Sequence, residues 1–187
     1  MTFNTGLLGN FLGFVAIFFY IVTLLPTNLR IVFPQTKKTG IPKFLLQQRR
    51  LIGILAFLVA LGHGYLLVMK RDFDFFDFKT SWIYIQGVVT LTIFTLLAIT
   101  SNDWSIKRLK KNWKRLHNLT YIAMFLLTWH IWGKMSGHWT YLTPISLVGM
   151  GLITILYLLR RYIEKRNELQ KKKQKEVPAL LPEKVEV

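Results

Sequence analysis

Four histidines, at positions 63, 117, 130 and 138, are the side chains of this 187-residue chain best suited to chemistry. Imidazole is a common metal ligand and changes charge near neutral pH. The chain has no Cys, which excludes disulfides, thiolate metal sites, iron–sulfur clusters and thiol catalysis. It has no His-x-x-x-His zinc spacing, no defensible Ser–His–Asp arrangement and no carboxylate pair inside an apolar run. Catalysis by side chains alone is therefore not expected. What the histidines can do depends on the elements that carry them.

Those elements are apolar. Hydrophobic residues make up 52% of the chain, mean hydropathy is +0.34, and only 18% of residues are charged despite a formal charge of +16. Both features hold together only if the charge sits in short blocks between long apolar runs, as in a polytopic membrane protein. A nucleic-acid binder would interleave its basic residues with the rest, and no such stripe is present. Five uncharged runs are visible, at Gly6–Leu25, Leu51–Met69, Ile83–Ile99, about Leu119–Trp132, and Tyr141–Leu159. A helix needs roughly 20 residues to cross a hydrocarbon core of about 30 Å, so the fourth run is short unless it begins near His117 and ends near Gly133. The first run lacks a basic leader and a small-residue cleavage site, and reads as a retained helix. The expected fold is thus all-α, a transmembrane bundle of about five spans over residues 1–163, with a basic, partly disordered tail at 164–187.

The basic blocks orient the bundle. Arg30, Lys37, Lys38, Lys43, Arg49 and Arg50 lie between the first two runs. Lys107, Arg108, Lys110, Lys111, Lys114 and Arg115 lie between the third and fourth, and nine more Lys and Arg come after Leu159. The second loop offsets Lys70, Arg71 and Lys79 with Asp72, Asp74 and Asp77, and the fourth holds only Lys134. By the positive-inside rule the N-terminus is outside and the C-terminus cytoplasmic. Orientation and attraction to anionic lipid account for this charge without a further function. Phe73, Phe75, Phe76, Phe78, Trp82 and Tyr84 crowd the second loop, as an interfacial aromatic belt does.

With that topology each histidine has a depth. His63 falls in the outer half of the second span and His130 near the outer end of the fourth, so the two share a depth on different helices. Ionisable groups inside a span are costly and are functional candidates by default. Paired depth suits a bis-histidine haem, whose axial nitrogens come from opposite sides of the ring. Gly53, Ala56, Ala60 and His63 share one helical face, a stripe of small residues that leaves room for a flat macrocycle or for close helix packing. His117 lies 13 residues before His130, a rise of about 20 Å, and belongs to the other leaflet. A histidine partner for it would stand 13 or 14 positions before His63, where Arg49 and Arg50 are found instead. Those arginines could bind a propionate, a flavin phosphate or a lipid headgroup. His138 reads as a loop residue, and Asp103 as a cap for the loop after the third span.

The stretch ITSNDWSIKRLKKNWKRLHNLTY at Ile99–Tyr121, with WHIWG at Trp129–Gly133 and RRLIGILAFLVALGHGYLL at Arg49–Leu67, resembles the ferric reductase-like transmembrane family. Within it the chain is most similar to the MsrQ subgroup, the haem-bearing membrane subunits of periplasmic methionine sulfoxide reductase systems. The resemblance covers about Arg49–Trp132. It implies a haem b cytochrome in an inner membrane that passes electrons outward, with His63 and His130 matching the outer axial ligands and His117 the inner family histidine. It also implies quinol or a flavin reductase as donor, a molybdenum-containing methionine sulfoxide reductase subunit as acceptor, and an association with FMN. The chain has no G-x-G-x-x-G fingerprint and too little soluble sequence for a nicotinamide or flavin domain, so it must receive electrons from quinol or another protein. The competing expectations are a ferric or cupric ion reductase of the same superfamily and a non-redox membrane scaffold.

Overall fold

The computed structural model describes residues 5–70, 78–135 and 140–179, and the side chains of 7–69, 81–133 and 140–174. His138, Arg71, Asp72, Phe73, Asp74, Phe75, Phe76 and Asp77, and the side chains of Lys70, Phe78, Lys79 and Lys134, carry expectations that lie outside these residues. The described chain is helical: α1 Thr5–Val32, α2 Gly40–Lys70, α3 Phe78–Ile99, α4 Asp103–Leu109, α5 Lys111–His117, α6 Leu119–Met135 and α7 Leu142–Ala179, with a 3-10 turn at Pro34–Lys38. Four of these helices, α1, α2, α3 and α7, are long and apolar enough to cross a membrane. The fourth crossing expected from sequence, α6, is 17 residues long, the short element that the sequence led one to expect.

The helices outrun the apolar runs that announced them. α2 begins eleven positions before Leu51 and carries Lys43, Arg49 and Arg50 within its length, and α7 continues through residue 163 without interruption. Long basic side chains can snorkel to the interface from a helix that continues beneath them, so charge ends an apolar window without ending a helix. Between α3 and α6 the chain turns twice. Asn102 caps α4, accepting the Ser105 amide at 2.7 Å. Asp103, expected to cap, instead opens α4 and pairs with Arg50 at 2.9 Å. Lys110 then breaks the helix with φ 47° and ψ −118° before α5 starts.

Large apolar side chains face outward along every span, among them Phe18, Leu58, Val88 and Leu152. In a membrane that face meets lipid, and the interior is chosen by packing and polar satisfaction instead. Small and medium residues fill it: Ala56, Ala123, Met124, Met150 and Ile153, with Tyr20 and Phe94 in a tilted ring contact at 5.1 Å. Thr90 Oγ1 and Ser146 Oγ are satisfied within their own helices, by the Gln86 and Leu142 carbonyls.

The packing closes on itself. α1 packs on α2 and α7, α7 on α6, α6 on α3, and α3 on α2. Five helices therefore form a ring, and α2 and α6 are not packing neighbours. The two helices that carry His63 and His130 stand on opposite sides of its interior.

Candidate functional site

Two cavities occupy the interior, one at each end. At the end away from the basic segments a small cavity of about 50 Å³ is lined by His63 of α2 and His130 of α6, with Asn10, Gly13 and Ser146 among the residues around them. The depth inferred from sequence is thus realised in space, since both imidazoles reach one cavity from helices across the ring.

Each ring is held by a neighbouring backbone. His63 Nδ1 lies 2.7 Å from the Gly9 carbonyl of α1, and His130 Nδ1 lies 3.1 Å from the Ile83 carbonyl of α3. A carbonyl only accepts, so in both rings Nδ1 carries the proton and donates it. With Nδ1 given to a carbonyl, Nε2 is the nitrogen that would ligate a metal, the arrangement in which a histidine binds through one nitrogen and is oriented through the other. Glycines make the approach feasible. A Cβ on Gly13 would come within 2.9 Å of His63 Cε1, and one on Gly87 would meet His130 Cε1 at 3.4 Å. The sequence drew attention to the small residues beside His63 on its own helix. The glycines that admit the rings are on α1 and α3, and no spacing rule connects them to the histidines.

This donor set suits a particular kind of metal. Among the described residues no group of three or more His, Cys, Asp or Glu could hold a bare ion. Two imidazoles facing one space fit a metal whose remaining ligands come from a macrocycle. The donors fit a haem, while the 50 Å³ between the helices is far below the roughly 300–1,000 Å³ of ordinary cofactor pockets, so the ring must widen at this end to admit one.

The cavity at the basic end already has that size, about 650 Å³. Arg49, Arg50, Lys114 and Arg160 line it with His117, and Gly53, Ala56 and Phe94 form part of its apolar wall. Two of the stripe residues thus border this cavity, and Arg49, Arg50 and His117 converge on it as a set. Arg160 pairs with Glu164 at 2.8 Å and donates to the Tyr121 hydroxyl at 2.8 Å, while Arg50 is committed to Asp103. Among the described residues Arg49 and Lys114 have no ion pair, and Thr27 Oγ1, also in the lining, is buried without a hydrogen-bond partner. Such a space favours a ligand with an acidic group and a hydrogen-bond acceptor on an apolar body.

His117 is bound differently from the other two. Its Nε2 lies 3.2 Å from Thr100 Oγ1, whose own proton goes to the Leu96 carbonyl at 2.6 Å, and its ring stacks on Trp113 with centroids 4.0 Å apart. His63 and His130 are held through Nδ1, His117 through Nε2. α5 lies outside the membrane-crossing helices, and there burial holds the His117 imidazole below its usual value. A hydrogen bond to the Thr100 backbone opposes this effect of burial, and nearby Arg49 reinforces it. His117 is a lining residue of the large cavity.

A closed ring of long apolar helices defines an integral multi-pass membrane protein. The family model for the ferric reductase like transmembrane component matches residues 12–128, and the chain belongs to that family. Curated relatives include the protein-methionine-sulfoxide reductase heme-binding subunits MsrQ of Brucella melitensis biotype 2, Brucella ovis and Brucella abortus strain 2308. Each is 38% identical over 118 residues, which is 60% of this chain and 50% of the relative. The chain therefore spans about half the length of the curated relatives it matches. No solved structure matches. The match to the family model takes in His63 and His117 and stops two residues before His130, so the second histidine of the pair rests on the geometry of the small cavity.

Proposed function

We propose that this protein is a membrane b-type cytochrome subunit that transfers electrons across the membrane to an acceptor at its outer face, with His63 and His130 as the axial ligands of one haem. The observation that carries the reading is the pair itself: two imidazoles from non-adjacent helices reach one space, each with Nδ1–H given to a backbone carbonyl. When bound, haem supplies a one-electron couple. The chain's residues orient the two imidazoles through the Gly9 and Ile83 carbonyls, and Phe14, Ile17 and Ile131 supply the apolar part of the cavity wall. The heme-binding MsrQ subunits it resembles support the same cofactor, and support a methionine sulfoxide reductase catalytic subunit as the outer partner.

In this reading the basic end faces the cytoplasm and receives electrons from quinol or a flavin reductase. Arg49, Arg50 and His117 contact a cofactor there, and Arg49 is the cation placed to take a phosphate of FMN or a propionate. The test is a dithionite-reduced minus oxidised spectrum of the detergent-purified protein with haem counted per chain. About one haem, lost in both His63→Ala and His130→Ala and retained in His117→Ala, is expected. Protein that stays colourless after reconstitution would discard the reading. Re-oxidation by ferric chelates but not by a methionine sulfoxide reductase subunit would reassign the acceptor.

A further inference from the structure

Gln86 is buried at 5% exposure in the middle of α3, in a segment that crosses the membrane. A primary amide in hydrocarbon is costly unless its hydrogen bonds are met. Two indoles meet those of its oxygen. Trp82, one turn earlier on α3, and Trp129 of α6 place their Nε1 atoms 2.7 Å and 3.0 Å from the Gln86 amide. An indole N–H can only donate, so the amide oxygen is the atom that faces both.

Trp129 immediately precedes His130. On α3, Gln86 lies between Ile83, whose carbonyl receives His130 Nδ1–H, and Gly87, which admits the imidazole edge. One turn further along α6, a Cβ on Gly133 would rest 3.5 Å from Ile83 Cγ1. Trp82, Ile83, Gln86 and Gly87 of α3 therefore grip three positions of α6. Successive helical residues point about 100° apart, so an indole and an imidazole anchored together on one ridge leave α6 a single rotation about its axis.

The geometry assigns Gln86 as the positioning residue of His130: by accepting both indole N–H groups it fixes the rotation of α6, and with it the direction of His130 Nε2. The assignment rests on the ligand role proposed for His130, and it adds a residue whose role is to hold the two indoles.

Its test uses ¹⁵N-histidine labelling, which gives a readable spectrum because the chain has four histidines. In haem-free wild-type protein the His130 Nδ1–H proton is slowly exchanging and hydrogen-bonded. Gln86→Leu is expected to abolish that signal and leave the His63 signal in place. Trp129→Phe, which keeps the ring and removes one donor, is expected to weaken it, and Gln86→Glu, which keeps an acceptor, to retain it. In haem-loaded protein, Gln86→Leu keeps the haem while the low-spin EPR signal broadens and shifts, since axial imidazole orientation sets its g values. Unchanged His130 resonances in both Gln86→Leu and Trp129→Phe would overturn the assignment. If Gln86→Leu does not fold, Trp129→Phe alone decides. A wild-type protein without haem would overturn the cytochrome reading, while the imidazole signals would still decide the role of Gln86.

Discussion

At the residue scale the informative atoms are the two ring nitrogens that each histidine divides between tasks. His63 and His130 spend Nδ1 on a carbonyl, and His117 spends Nε2 on Thr100, so three similar residues in one sequence have different uses. Gly13 offers a direct test, because the Cβ of Gly13→Ala would stand 3.0 Å from His63 Nδ1 and displace the ring from Gly9. Overpacking of this kind costs about 1–3 kcal/mol. Gly13→Ala should therefore fold with a lowered unfolding temperature and lose most of its haem, read as haem per chain. Gly151→Ala, whose Cβ would meet nothing within 4 Å, should match the wild type in both. Equal haem content in the two variants would show that His63 is free to move and is not set by α1.

At the element scale the most strained joint is between α4 and α5. Lys110 sits at φ 47° and ψ −118°, and is the one non-glycine residue with positive φ among those described. Backbone of this kind costs on the order of 1–3 kcal/mol for an L side chain and little for glycine. Lys110→Gly is expected to raise the thermal midpoint in a fixed detergent, through a stabilisation on the order of 1 kcal/mol. Lys110→Ala removes the same charge without relieving the backbone, and should show no such gain. If both variants gain equally, charge repulsion within the basic segment and not the joint is what limits stability. The joint matters because α5 delivers Trp113 and His117 to the large cavity, with Trp113 Nε1 donating to the Thr100 carbonyl at 2.9 Å.

At the scale of the whole molecule the ring order and the charge distribution act together. Arg49, Arg50, Lys114 and Arg160 gather around the 650 Å³ cavity, and the histidine pair lines the other one. The absence of Cys makes orientation simple to read by single-cysteine labelling. Ser136→Cys should react with a membrane-impermeant maleimide in intact cells, and Lys111→Cys only after permeabilisation. The opposite pattern would reverse the proposed electron path. Because the small cavity must widen to admit a cofactor, ligand binding and helix packing are coupled, and a group that binds only the folded ring stabilises it by mass action.

The sequence by itself determined that the chain is helical and crosses a membrane, which end is basic, and that His63 and His130 share a depth. Hydrophobic runs, charge blocks and a fixed rise per residue are one-dimensional quantities, so they can be read along the chain. It also marked Arg49, Arg50 and His117 as a group at the opposite depth, since the same rise separates them from the outer pair. Tertiary structure alone decided the order of helices around the ring, and thereby that α2 and α6 face each other without packing. It alone placed Gly13 and Gly87 under the imidazoles, gave His63, His117 and His130 their hydrogen-bond partners, and brought Gln86 to Trp129. These depend on the rotation of each helix about its axis and on contacts between residues as far apart as Gly9 and His63. In lipid, where every side of a span is apolar, the pattern of hydrophobicity carries little information about that rotation.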